Sequence, residues 1–155
     1  VMRRREYITD LMFVILLLLL FASFGLCVVM IGARVYKNTV NYMEENDSSR
    51  TAIAYLEEKI RQNNEVDKIE VTTIEKNQSL RIHSSVNKEE YVTYIYCYDG
   101  WLWELYTKAS NEIKLGMGQS LVKLDSLSIE ELKDGLYQIK AGNLAVVVHL
   151  LEEKP

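Results

Sequence analysis

The amino-acid sequence predicts an α+β protein in which a long N-terminal helix packs on a mostly antiparallel β-sheet. Three observations predict it: an apolar run near the N-terminus, a helical spacing of apolar residues after that run, and an alternation of apolar and polar residues beyond residue 66. The 155 residues carry a net charge of −4 and no block of basic residues after the apolar run. An acidic domain of this kind argues against nucleic acid as a partner.

The apolar run Leu11–Ala33 contains no Asp, Glu, Lys, Arg or His. As a helix it spans roughly 34 Å, which is enough to cross a hydrocarbon core of ~30 Å. The run is longer than the apolar region of a usual secretory signal, so we predict an uncleaved transmembrane anchor over residues 11–33. Arg3, Arg4 and Arg5 precede it, and the positive-inside rule places residues 1–10 as a short cytoplasmic leader. The remaining chain is then expected outside the cell, behind a single-pass anchor in the cell membrane.

The helical pattern continues past the apolar run. Residues 34–63 contain no Pro or Gly, and apolar side chains recur there at helical spacing: Ala52, Ile53, Leu56 and Ile60. We therefore predict an amphipathic helix over residues 34–63 that continues the span. Residues 46–49 read Asn-Asp-Ser-Ser, and Asp or Ser there could cap a second helix. A single continuous helix from Tyr7 to Gln62 is the favoured alternative.

Residues 66–155 are predicted to form an antiparallel β-sheet domain of about five to seven strands. Asp99-Gly100 is the strongest hairpin signal, because it separates two alternating aromatic runs, Tyr91–Tyr98 and Trp101–Thr107. A looser segment follows, Lys108–Lys123, which contains Gly116-Met117-Gly118 and to which no strand is assigned. The last strand, Leu144–Leu151, is apolar on both faces, which predicts a central or covered position in the sheet.

The predicted hairpin places five large aromatic side chains on one face of the sheet: Tyr94, Tyr96, Tyr98, Trp101 and Trp103. Two interpretations of this aromatic face stay open. The long helix covers it as part of the core, or it is a surface on which a protein partner docks. One helix cannot cover the whole face, so part of it is expected to be exposed in either case.

The segment Ile8–Ile15, which reads ITDLMFVI, resembles the segment that follows the processing site of type IV prepilins and pseudopilins. The layout of a short basic leader, an apolar span, a continuous helix and an antiparallel sheet domain is similar as well. In that family a carboxylate near the top of the span neutralises the N-terminal amine of a neighbouring subunit, and the resemblance assigns this assembly role to Asp10. Arg5 and Glu6 stand where the family has the Gly and Phe that flank the cut. The alternative for Asp10 is a carboxylate that interacts with the dipole at the helix start.

No nucleophile motif, paired carboxylates, phosphate loop or metal-ligand spacing emerges, so no enzyme, cofactor or metal is expected. The resemblance implies a non-catalytic pilin-like or minor-pseudopilin-like subunit of a filament or of a secretion or assembly complex. Its expected partners are the lipid bilayer and other pilin-like subunits or assembly-complex proteins. The alternative is a membrane-anchored extracytoplasmic module that binds a protein partner through the aromatic face. The chain also resembles uncharacterised single-span proteins of Gram-positive bacteria.

Overall fold

The computed structural model describes the backbone of residues 2–151 and the side chains of residues 7–151. The side chains of Arg3, Arg4 and Arg5, on which the expected orientation depends, lie outside the described residues. The described part forms one helix, α1, and eight strands. Their bounds are α1 Met2–Asn63, β1 Ile69–Ile74, β2 Asn77–Val86, β3 Glu89–Tyr98, β4 Trp101–Lys108, β5 Gln119–Lys123, β6 Leu127–Lys133, β7 Leu136–Ala141 and β8 Leu144–His149.

Helix α1 is continuous through residues 46–49, as the favoured alternative predicts. The chain divides into two compact units, residues 1–42 and residues 43–155. In the first unit every described side chain is exposed, and α1 is apolar and long enough there to cross a membrane.

The part of α1 in the second unit buries one stripe of side chains. Ala52 and Leu56 are fully buried and Ile60 is nearly so, at the helical spacing expected from the sequence. Ser49 extends this stripe by one turn and is also buried. A β-carbon added at Gly142, in the β7–β8 turn, would collide with the Ser49 side chain. The polar stretch at residues 46–49 therefore does not break the helix, and its small serine lets a turn approach the helix closely.

The strands form two antiparallel sheets, one in the order β1-β2-β3-β4-β5 and one in the order β6-β7-β8. Both sheets and α1 contribute to one hydrophobic core. The first sheet contributes aliphatic side chains such as Leu80, Ile95 and Leu102, and the second contributes Ile129 and Ile139. This arrangement confirms the α+β fold class.

Two details of the predicted sheet are wrong. The described part of the domain has eight strands in two sheets rather than about five to seven in one, and the additional strand, β5, lies in the looser segment Lys108–Lys123. β5 reads QSLVK, in which apolar and polar residues do not alternate. Strand β8 lies at an edge of its sheet rather than in a covered position. Its apolar residues on one face pack on the core, whereas Ala145 and Val147 on the other face are exposed.

Candidate functional site

The aromatic hairpin has the predicted register. In the β3–β4 ladder Tyr98 pairs with Trp101 and Tyr96 pairs with Trp103. Asp99 and Gly100 have φ angles of 50° and 74°. Positive φ at both central residues is the geometry that two-residue hairpin turns require, and Asp-Gly adopts it readily. The local turn chemistry therefore determines which side chains share the aromatic face.

The long helix covers the opposite face of this sheet, so the interpretation in which α1 covers the aromatic face is wrong. Ile95 and Leu102 contact the core that contains α1, whereas Tyr94 and Tyr96 belong to a second buried cluster. The buried stripe of α1 is aliphatic and packs on the aliphatic face. The aromatic face is covered instead by the β4–β5 loop, from which Ile113 and Leu115 pack onto it.

The loop also satisfies the polar end of the aromatic cluster. The Tyr96 hydroxyl donates a hydrogen bond to the carbonyl oxygen of Met117. Tyr94 is 6% exposed and Tyr96 is fully buried, so these two of the five predicted surface residues are core residues. Trp103 is half-buried. Tyr98 and Trp101, at 40% and 37% exposed, are the two that remain on the surface.

A polar cavity of about 490 Å³ lies beside Tyr98. Three turns of the chain line it, and they contribute Lys76, Asn77, Asp99 and Asp125 among others. Cys97 also reaches this cavity, and its thiol donates a hydrogen bond to the Leu124 carbonyl oxygen at 3.0 Å. Burial, together with the charge of Asp125, raises the pKa of Cys97, so the thiol stays protonated and is a weak nucleophile. Among the described residues no group of three or more His, Cys, Asp or Glu is placed to hold a metal ion.

An ion pair that the sequence did not reveal joins α1 to β4. Lys59 Nζ lies 2.6 Å from Glu104 Oε1 and 5.4 Å from the centroid of the Tyr55 ring. Burial and the hydrogen bond with Glu104 raise the pKa of Tyr55 to about 12. Burial alone would lower the pKa of Lys59, but its hydrogen bonds with Glu104 and Tyr55 outweigh burial and raise it. This cluster holds the helix on the sheet and touches neither the aromatic face nor the cavity.

The predicted assembly residue, Asp10, is exposed on α1 at the start of the apolar run. None of the ion pairs between described side chains includes it. Asp10 belongs to the first unit, and the five aromatic residues belong to the second.

A further apolar feature of the first unit went unnoticed in the sequence. Val29, Ala33, Tyr36 and Val40 follow one another at intervals of four, three and four residues, so they form a stripe along one side of α1. Tyr36 is 73% exposed and Val40 is 40% exposed, although both lie beyond the apolar run. We call these four residues the helix stripe. Their spacing is helical in the sequence, but charged and polar residues lie between them, so the pattern is not obvious there.

Residues 47–143 match the family described as a domain of unknown function, DUF4860. The chain belongs to the DUF4860 family. The DUF4860 match begins in α1 just before Ser49 and ends in the β7–β8 turn, so it includes the buried stripe of the helix and strands β1 to β7. No curated protein and no solved structure matches the chain. The apolar part of α1 and the β domain together indicate a membrane-anchored DUF4860 protein.

Proposed function

We propose that this DUF4860 protein is a non-catalytic, pilin-like structural subunit of a filament or of a secretion or assembly complex. It is anchored with its N-terminus in the cytoplasm and its β domain outside, and it packs α1 laterally against α1 of neighbouring subunits. The observation that carries the proposal is the helix stripe, which continues the apolar surface of α1 past the end of the membrane span.

A simple tether needs apolar side chains only where it meets lipid. Arg34 marks the end of the lipid-compatible run, yet Tyr36 and Val40 beyond it are apolar and exposed. Exposed apolar residues that form a continuous row on a helix are typical of a helix–helix contact. Asn38 lies on the opposite side of the same turns, together with Val35 and Tyr42, which are also exposed. A neighbouring helix would bury the row and leave Asn38 in water.

Asp10 supports the proposal from the other end of the span. A carboxylate at the boundary of an apolar span is costly without a positive partner. The resemblance to prepilins supplies such a partner, the N-terminal amine of the next subunit. If the chain is cut before Glu6, the new amine lies one helical turn from the position of Asp10.

The experiment compares Asp10→Asn with Asp10→Glu in the full chain, expressed in bacterial membranes and cross-linked with an amine-independent reagent before solubilisation. Asp10→Asn keeps the shape of the side chain and removes its charge, so we expect the yield of cross-linked multimers to fall at least tenfold. Asp10→Glu keeps the charge, and we expect it to form multimers at close to the native yield.

Multimers of Asp10→Asn at the native yield would contradict the proposal. Mass spectrometry of the mature N-terminus provides the accompanying measurement. A chain that begins at Glu6 supports the amine pairing, whereas a chain that retains Arg3, Arg4 and Arg5 counts against it.

A further inference from the structure

Strand β8 differs from the other strands at the edges of the two sheets. Among the described strands the edges are β1, β5, β6 and β8. β1 contains Glu70, β5 contains Lys123, and β6 contains two glutamates and a lysine. The pairing of β5 and of β6 is also irregular at one step each. Charges and bulges are the usual means by which proteins prevent an edge strand from pairing with another chain. β8 reads LAVVVH and has no Asp, Glu, Lys or Arg and no bulge.

The free backbone groups of β8 follow from its register. Ala141 and Leu144 flank a two-residue turn, so Leu144, Val146 and Val148 exchange hydrogen bonds with β7. The N–H and C=O groups of Ala145, Val147 and His149 therefore point away from β7. The Asn64 side chain already meets this edge at its end, because its Nδ2 donates to the His149 carbonyl oxygen at 2.9 Å.

The other edge of the three-stranded sheet, β6, is covered by a side-chain amide at the middle of the strand. The Gln78 side chain donates to the carbonyl oxygen of Ile129 in β6 and accepts from its N–H. An amide side chain thus takes the place of a neighbouring strand at the centre of β6. On β8 the corresponding amide, Asn64, lies at the end of the strand. The outward groups of Ala145 and Val147 have no such partner among the described residues.

We propose that β8 pairs with β8 of a second copy of this chain, antiparallel and about a two-fold axis at Val146. The free segment, from Leu144 to Val148, is centred on Val146. In this register Ala145 faces Val147 of the second copy, and the two such pairs form about four main-chain hydrogen bonds. The two three-stranded sheets become one sheet of six strands. The proposal goes beyond the proposed function, because it uses the β domain and not α1.

The chemistry of the strand favours a second copy as the occupant. The segment Leu144–Val148 has no charged side chain, so two copies pair without like-charge repulsion. A partner selected by charge would require charged residues on this edge strand. On the outer face a small side chain, Ala145, lies opposite a larger one, Val147, in both halves of the pair. Val147 is 50% exposed, so pairing removes apolar surface from water. Copies anchored in one membrane also meet at high effective concentration.

The first experiment measures disulfide formation in membranes by the full chain carrying Val146→Cys or Val148→Cys, in a background of Cys27→Ala and Cys97→Ser. Val146 would face its own copy with Cα atoms about 4.5 Å apart, within the range of a disulfide. Val148 lies on the same face and is also half-buried, but would be roughly 13 Å from its copy. We expect at least tenfold more covalent dimer from Val146→Cys. Dimer from Val148→Cys at an equal or higher level, or from neither variant, would overturn the proposal.

A second measurement adds Val147→Pro or Val147→Ala to the Val146→Cys chain. Proline removes the outward N–H of residue 147 and leaves the hydrogen bonds to β7 in place, because edge strands tolerate proline on their open side. Alanine keeps the N–H. We expect Val147→Pro to lower the dimer yield at least fivefold relative to Val147→Ala, with equal thermal stability of the two chains. Equal yields would overturn the proposal. Cross-links through α1 use different residues, so either proposal can fail while the other holds.

Discussion

At the scale of single residues, one glycine determines how closely the second sheet approaches the helix. Gly142 has a φ angle of 57°, and a β-carbon at this position would collide with the Ser49 side chain. Both the backbone conformation and the space therefore favour glycine. Ser49 is buried beneath the β7–β8 turn, and a larger side chain at position 49 would push this turn away from the helix. Ser49 and Gly142 thus form a tight contact between α1 and the second sheet.

Gly142→Ala tests this contact, and Gly100→Ala is its matched control. Both glycines have positive φ, but nothing lies near a β-carbon at Gly100. We expect Gly100→Ala to cost about 1 kcal/mol of the free energy of unfolding through backbone strain alone. Gly142→Ala should cost about 1–3 kcal/mol more, because overpacking adds to the strain. Urea denaturation of the full chain in detergent measures both, and equal losses would show that Ser49 does not constrain the turn.

At the scale of elements, local signals predicted the parts of the fold that depend on few residues. Asp99-Gly100 was sufficient for the β3–β4 register, and the spacing of Ala52, Leu56 and Ile60 was sufficient for the buried side of α1. Which segment of the chain packs on each face of the first sheet could not be predicted from such local signals. Alternation shows that a strand has two faces but does not show which of them meets the helix, because the cover comes from distant segments.

The β4–β5 loop and strand β8 illustrate why the candidate site was predicted only in part. Ile113 and Leu115 cover Tyr94 and Tyr96 from a segment whose sequence shows no periodicity. β8 is apolar on both faces, and such a pattern fits a covered strand as well as an edge strand that another chain covers. Strand order is a property of the whole domain, so the position of β8 could not be derived from its own residues.

The contact between α1 and β4 predicts a loss of stability at alkaline pH. The pKa of Tyr55 is raised to about 12 from an ordinary value of 10.0, so the folded state keeps this proton at a pH at which the unfolded state has lost it. The free energy of unfolding therefore falls as the pH rises from 10 towards 12. The raised pKa of Lys59 acts in the same direction, because its contribution is complete below 10.5 and is lost above it.

Tyr55→Phe removes one of the two titrating groups, so we expect a shallower decline of unfolding free energy between pH 10 and pH 12. Tyr106→Phe is the control, because Tyr106 is 55% exposed and stacks on Tyr91. Chemical denaturation of the detergent-solubilised chain at several pH values gives both slopes. If the unfolding free energy of Tyr55→Phe fell with pH as steeply as that of the unmodified chain, the Tyr55–Lys59–Glu104 cluster would not be the cause of the loss of stability at alkaline pH.

At the scale of the whole molecule, the chain combines an apolar helix with a DUF4860 domain that contains its own core. The family match begins at residue 47, within the buried half of α1, and does not include the membrane span. The helix stripe begins within the span, at Val29 and Ala33, and continues to Tyr36 and Val40, before the family match begins. Its side chains are apolar and exposed, and none belongs to the core of the domain, which is why we propose that they contact neighbouring subunits.

Cysteine cross-linking on the helix stripe tests this central claim most directly. Val40→Cys places a thiol on the stripe, and Asn38→Cys places one on the opposite side of the same helical turn, in a chain with Cys27→Ala and Cys97→Ser. The full chain is oxidised in intact membranes, and covalent dimers are measured by gel electrophoresis. Lateral packing of α1 predicts at least fivefold more dimer from Val40→Cys than from Asn38→Cys, whereas equal yields, or a higher yield from Asn38→Cys, would contradict it.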